Sequence, residues 1–236
     1  SSVWIPPLAS VQTLADRVSR YGTTLYHGEK PMWVSAPLTV HRRCDDPMFR
    51  LCNEIAYGSM MVSGVQRRLD DPDNPDLFDD PHERKISPSH WIDVPARTPG
   101  THLQDNQIEE LRKQIEQLQA QGVAMSQIIA ISPFRVVANA LGSLRGRYPG
   151  LRGGTIHTVQ GREADVVFLV LGGDPGAPGA KAWASSTVNL VNVAASRAKR
   201  RLYVIGDRAA WSQYPYFADL ASVLPSEPQS PMGTVS

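Results

Sequence analysis

Cysteine is nearly absent. Cys44 and Cys52 are the only two; they form no CxxC pair and no zinc spacing, which argues for free thiols in a reducing, cytoplasmic setting. No apolar run approaches the ~18 residues of a membrane span, and no signal-peptide pattern is present. Neither sign of charge dominates, with Lys+Arg 24 against Asp+Glu 23 and a net charge of +1. No global basic field therefore marks a nucleic-acid partner, and any such contact must come from local patches. The sequence also lacks GxxxxGK[ST], GxGxxG, HExxH and GxSxG. Their absence argues against a self-contained ATPase, a dinucleotide enzyme, a zinc protease or a serine hydrolase.

What remains is an ordinary globular composition. A chain of 236 residues that is 42% hydrophobic can fill the core of one large domain or two small ones. Its start at Ser1-Ser2, without methionine, is expected of a piece excised or processed from a longer protein. Residues 1–37 are mixed, with Pro6, Pro7, Pro31 and Pro37 and one helical stretch over Ser10–Tyr21 carried by Val11, Leu14 and Val18. A short strand "LTV" begins at Leu38. A helix follows in which Asp45 or Asp46 caps, Pro47 takes the first helical position, and Phe49, Leu51, Cys52, Ile55 and Ala56 form the apolar face up to Gly58.

Residues 67–90 hold four prolines and six aspartates and read as a surface loop. The strand "WIDVPA" comes next, then a helix from Asn106 with Ile108, Leu111, Ile115 and Leu118 on one face and Gly122 as its stop. Asn106 and Glu109 have the spacing of a capping box. "QIIAISPFR" is a strand ending in a polar turn, followed by a helix over Val136–Leu144. A strand about Gly154–Thr158 and a longer one to Leu171 flank the polar loop "VQGRE". Residues 172–187 are a Gly/Pro/Ala-rich flexible excursion. The helix "TVNLVNVAASRAKRR" runs into the strand "LYVIGD", and 225–236 form a disordered tail. Strands alternating with helices over 38–210 predict an α/β fold, a mostly parallel sheet with helices on both faces. In such sheets the loops at the carboxyl ends of the strands carry the chemistry.

Three segments then add a resemblance. "LTVHRRCDDPMFRLCNEIAYGSMM" resembles motif IV, "GTIHTVQGREADVVFLVLGG" motif V and "NLVNVAASRAKRRLYVIGD" motif VI of the second, carboxyl-terminal RecA-like domain of superfamily 1 helicases, in their Upf-, Sen- and Dna-type branch. "IIAISPFR" is similar to motif IVa, and Trp4-Ile5-Pro6-Pro7 to the stretch just beyond motif III. The motifs stand in the family's order across residues 38–210.

The resemblance implies a RecA-like domain over 38–224 without its own phosphate loop. Residues 1–37 would be the segment entering it from a first motor domain that supplies the phosphate loop and the Mg²⁺ ligands; no metal ligand is expected here. ATP would bind between the two domains. Arg197 would be the arginine finger and Arg43 a second phosphate-sensing arginine, since a guanidinium never deprotonates and donates in a planar fork. Gln160, Gly161 and Glu163 would line the nucleotide, Gly161 by close backbone approach and Glu163 on the ribose hydroxyls. Ser132, Thr155, His157 and Thr158 would contact the phosphates of single-stranded DNA or RNA, holding the strand without reading its sequence. ATP would favour a closed cleft, and alternate opening and closing would walk the domains along the strand, 5′ to 3′ by analogy with the branch.

Other clusters have plainer readings. Lys199, Arg200 and Arg201 close a helix, where cations complement its dipole. Arg42 is a solvated surface residue where relatives commonly carry an aromatic one, and Val137 stands where many carry glutamine. Arg145, Arg147, Tyr148 and Arg152 form an exposed turn or a basic edge with one stacking ring. Asp70, Asp71, Asp73, Asp76, Asp79, Asp80 and Glu83 lack the turn glycine of a calcium loop and read as a solvated loop. Two other functions fit the same fold: a noncatalytic nucleic-acid-binding or interaction module, and the helicase part of a larger nuclease or defence protein.

Overall fold

A computed structural model describes residues 22–27, 30–35, 39–67, 76–79, 86–156, 158, 161–186 and 189–226. The expected helix over Ser10–Tyr21, the stretch Trp4–Pro7 and the tail from 227 onward lie outside the described residues.

The chain divides into two units, Ser1–Val40 and His41–Ser236. Within the first, β1 (Gly22–His27) and β2 (Lys30–Ser35) pair antiparallel, with Gly22 opposite Ser35 and His27 opposite Lys30. Sequence pattern gave no strand here, because Pro31 inside β2 argues against one.

The boundary between the units falls within β3 (Val40–His41), and the first helix of the second unit is α1 (Met48–Tyr57), which buries Met48, Leu51 and Cys52. Pro47 sits at the cap rather than the first helical position, and Asp46 Oδ1 accepts the Arg50 N–H at 3.3 Å. Gly58 ends the helix in the left-handed region, φ 55°. After β4 (Val62–Ser63) come β5 (His90–Asp93), α2 (Asp105–Ala120), β6 (Ile128–Ser132), α3 (Arg135–Ser143), β7 (Arg152–Thr155), β8 (Ala164–Val170), α4 (Pro178–Ala184), α5 (Asn189–Arg197), β9 (Ala198–Gly206), α6 (Arg208–Trp211) and α7 (Phe217–Val223). The helix expected from Asn106 starts one residue earlier. Its cap is Gln104, and Asn106 instead donates from Nδ2 to the Pro95 carbonyl at 2.9 Å.

β5 to β9 form one five-stranded sheet in the order β5-β9-β8-β6-β7. All four ladders are parallel. This is the α/β architecture expected from the sequence and is consistent with a RecA-like arrangement. Moving from β5 to β6 to β7 crosses the sheet one way, and from β8 to β9 the other way. The right-handed sense of such crossovers therefore sets α2 and α3 on one face and α5 on the other. Helices on both faces explain why β8, apart from half-buried Asp165, is buried throughout.

Two glutamines that sequence pattern passed over fix the loops beyond β5 and β8. Buried Gln107 donates to the Val94 carbonyl at 3.0 Å and accepts the Gly172 N–H at 2.8 Å. Buried Gln104 accepts from the Arg97 and Thr98 N–H groups and donates to the Thr98, Thr101 and Gly173 carbonyls. Buried amides paired in this way rigidify a core that would otherwise leave backbone groups unpaired.

Candidate functional site

The helix expected through Arg201 stops at Arg197, and Ala198 begins β9. Pairing with β8 overrides the helical preference of the Ala-Lys-Arg-Arg run. Ala198 pairs with Ala164 but Arg201 with Val166, so β9 carries one extra residue between these points, a bulge. A bulge breaks the alternation of side chains between faces. Here it lets neighbouring Arg200 and Arg201 both reach Asp79, at 2.7 and 2.9 Å.

Arg200 and Arg201 are buried, a correction to their reading as helix-end cations. Arg200 also pairs with Asp76 at 2.7 Å, and its Nε lies 2.7 Å from Asp45 Oδ2 in an ion contact whose angles do not make a hydrogen bond. Asp76 and Asp79 are thus anchors that pin their loop to the sheet, and not a solvated acidic patch. Burial pushes both carboxyls up, but the hydrogen bonds from Arg200 and Arg201 outweigh it and hold them below the usual carboxylate range. Asp70, Asp71, Asp73, Asp80 and Glu83 lie outside the described residues. Among those described, no group of three or more His, Cys, Asp or Glu is placed to hold a metal ion.

At the amino ends of β8 and β9 a second cluster forms. Glu163, immediately before β8, lies 2.9 Å from Arg43 Nε through one oxygen and 2.9 Å from Lys199 Nζ through the other. Arg43 Nη1 also donates to the Ser196 carbonyl at 3.4 Å. The Lys199 hydrogen bond above all, with the charges of Lys199, Arg43 and Arg197, holds the Glu163 carboxyl below its ordinary value. Arg197 Nε is buried and has no hydrogen-bond partner among the described residues. A buried guanidinium N–H left so is expensive unless an acceptor reaches it.

Gly161 stands two residues before Glu163 at φ 82°, the left-handed region open to glycine. An added Cβ there would meet nothing within 4 Å, so within this chain backbone angle rather than crowding requires the glycine. Chemistry in such sheets is generally expected at the carboxyl ends of strands; Arg43, Glu163 and Arg197 instead gather at the amino edge. Both Glu163 oxygens hold cations. Gln160 lies outside the described residues.

The opposite, carboxyl edge carries a groove of about 1370 Å³. Thr155 ends β7 there. Thr158 Oγ1 donates to the Thr155 carbonyl at 2.8 Å, and Thr155 Oγ1 accepts the Thr158 N–H at 3.3 Å. Ser132 lines the groove but is fully buried, its hydroxyl accepting the Phe134 N–H at 3.3 Å. His157 lies outside the described residues. β7 can approach α3 because Gly153 has no side chain: a Cβ would sit 2.6 Å from the Leu141 carbonyl oxygen. Val137 is buried and packs toward Gly172. Tyr148 is buried too, its hydroxyl donating to Glu116 at 2.7 Å, so it offers no free stacking ring.

Cys44 and Cys52 are free and buried, and burial pushes both thiols up to about 12, where the reactive thiolate is scarce. Among the described residues no helix is long and apolar enough to cross a membrane.

The family described as AAA domain matches residues 22–209. No curated protein matches the chain. Among solved structures, the chain is similar to the arterivirus nonstructural protein 10 helicase in complex with DNA, at 16% identity and a TM-score of 0.35, over 77% of this chain and 28% of that one. It is also similar to the PRRSV nsp10 helicase, at 13% identity and a TM-score of 0.32, over 73% of this chain and 24% of that one. The chain thus spans about a quarter of the length of those helicase chains.

Proposed function

This chain belongs to the AAA domain family, and we propose that it is the carboxyl-terminal motor domain of an ATP-dependent nucleic-acid helicase or translocase, supplying one wall of a two-walled nucleotide cleft. The observation that carries this reading is the amino-edge cluster, in which Arg43 and Lys199 hold a single carboxylate that also feels the charge of Arg197, and Arg197 Nε is a buried donor without an acceptor among the described residues.

Such a cluster fits a polyphosphate. ATP, bound between this wall and a first motor domain, would bring a terminal phosphoryl group whose transfer to water places charge on its outer oxygens. Arg197 would donate to that charge, and its planar fork keeps the proton that a lysine could lose. Arg43 is held by Glu163 and by the Ser196 carbonyl, so it meets a phosphate with its side chain already ordered. Glu163 acts here through the two cations it orients. Gly161 gives the loop the turn that brings Glu163 back to the amino edge.

At the other edge, Thr155 and Thr158 would hold the phosphates of a single strand of DNA or RNA, with Ser132 shaping the turn beneath them.

The test is ATP turnover by residues 1–236 alone and by the same chain joined to its first motor domain. Negligible turnover alone and turnover stimulated by single strands in the joined protein are expected. Equal turnover in both would refute the two-walled site.

A further inference from the structure

Trp183 is 67% exposed, more than any other large hydrophobic residue among those described. A lone exposed apolar side chain is ordinary on a protein surface; what sets this one apart is where it is held. It is not carried on a loose segment. α4 buries Lys181 and Ala184, Lys181 Nζ donates to the Asp174 carbonyl at 3.2 Å, and Tyr214 donates to the Pro178 carbonyl at 3.3 Å. The anchored helix sets the ring on the rim of the carboxyl-edge groove.

The groove presents two chemistries. Trp183 stands on one part of its lining; Thr155, Thr158, Asn139 and Arg135 supply polar groups on the rest. Arg135 is exposed and makes no ion pair among the described residues. Among those residues no acidic side chain lines the groove. A cavity with hydroxyls, one uncommitted guanidinium, no carboxylate and an open aromatic face matches a ligand that carries anionic groups along one side and flat rings along the other. A single nucleic-acid strand is such a ligand.

We propose that Trp183 is the platform on which a base of the bound single strand stacks, and that Arg135 holds a phosphate of the same strand. This rests on the nucleic-acid reading of the groove given above. Stacking uses a π-face every base possesses, so the contact grips without reading sequence. Arg135 adds one released counterion and with it salt dependence.

The test compares the complete protein with its Trp183→Ala, Trp183→Phe and Arg135→Ala variants. The probes are a fluorescein-labelled dT strand of about 15 nucleotides, within the usual range of site sizes, and an abasic strand of equal length with the same phosphates. Trp183→Ala is expected to weaken dT binding about ten-fold, Trp183→Phe to stay within about three-fold, and neither to change abasic binding. Arg135→Ala is expected to weaken both probes alike and to lower the salt slope by about 1. Equal dT binding by wild type and Trp183→Ala overturns the platform while leaving the groove's reading intact. A wild type that binds neither probe overturns both. Loss of docking with the first motor domain in Trp183→Ala, with dT binding unchanged, would make the ring a protein contact and overturn the proposal.

Discussion

Arg43 Nε lies 2.9 Å from Glu163 Oε2, and this contact joins motifs far apart in the chain at the amino edge of the sheet. Removing the carboxylate charge should release both Arg43 and Lys199. Glu163→Gln in the complete protein is expected to lower ATP turnover by ~10- to 100-fold through loss of positioning. Its stability should change by less than about 1 kcal/mol, because the pair is solvent-screened. Turnover and denaturant unfolding measured together check both halves.

The same carboxylate sets a pH dependence. Its cations hold Glu163 below the ordinary glutamate value of 4.5. A depressed carboxyl contributes stability in full above the unfolded value and loses it as pH falls through the folded value. The clamp should therefore be complete at neutral pH and fail only below 4.5. An NMR titration of the Glu163 side-chain carbon with a midpoint at or above that value would contradict the geometry.

Arg200 is expected to matter for stability far more than its charge alone suggests. Its side chain is 9% exposed and its partner Asp76 10%. Arg200→Ala leaves carboxylates without their partner inside the protein, and a loss of ~3–5 kcal/mol in chemical unfolding is expected. Asp76 is held below 3.8, so its contribution should persist above that pH and disappear only as pH falls further. A loss under about 1 kcal/mol would show the network to be dispensable.

Two neighbouring glycines should behave oppositely. Gly153→Ala drives a Cβ to 2.6 Å from the Leu141 carbonyl oxygen, a backbone atom that cannot step aside. It should cost ~1–3 kcal/mol. Gly142→Ala in α3 meets nothing within 4 Å and should add ~0.5–1 kcal/mol through helix preference. Thermal unfolding of the two variants reads the difference in sign.

Much of this was legible in the sequence because the period of apolar residues and the order of the motifs report directly on a parallel sheet. The apolar run of β8 and the face of α2 at Leu111, Ile115 and Leu118 needed no tertiary knowledge. Other features depended on pairing across the fold. The run Ala198–Arg201 reads as helix by composition and becomes strand because β8 lies beside it. Asp76 and Asp79 read as solvent-facing because nothing local marks Arg200 and Arg201 as their partners. The hairpin of β1 and β2 hides behind Pro31. Trp183 sits in a Gly/Pro/Ala-rich stretch that looked loose, and only the buried side of α4 shows it is held. The contact of Glu163 with Arg43 is likewise a matter of three dimensions, although the motifs had put both in one site.

The most direct test of the two-walled nucleotide cleft is steady-state ATP hydrolysis by the complete protein carrying Arg197→Ala, with nucleotide affinity measured alongside. The account expects turnover to fall by ~10³ or more with affinity largely kept, because the guanidinium acts on charge that develops during transfer. Turnover near that of the unaltered protein would contradict it.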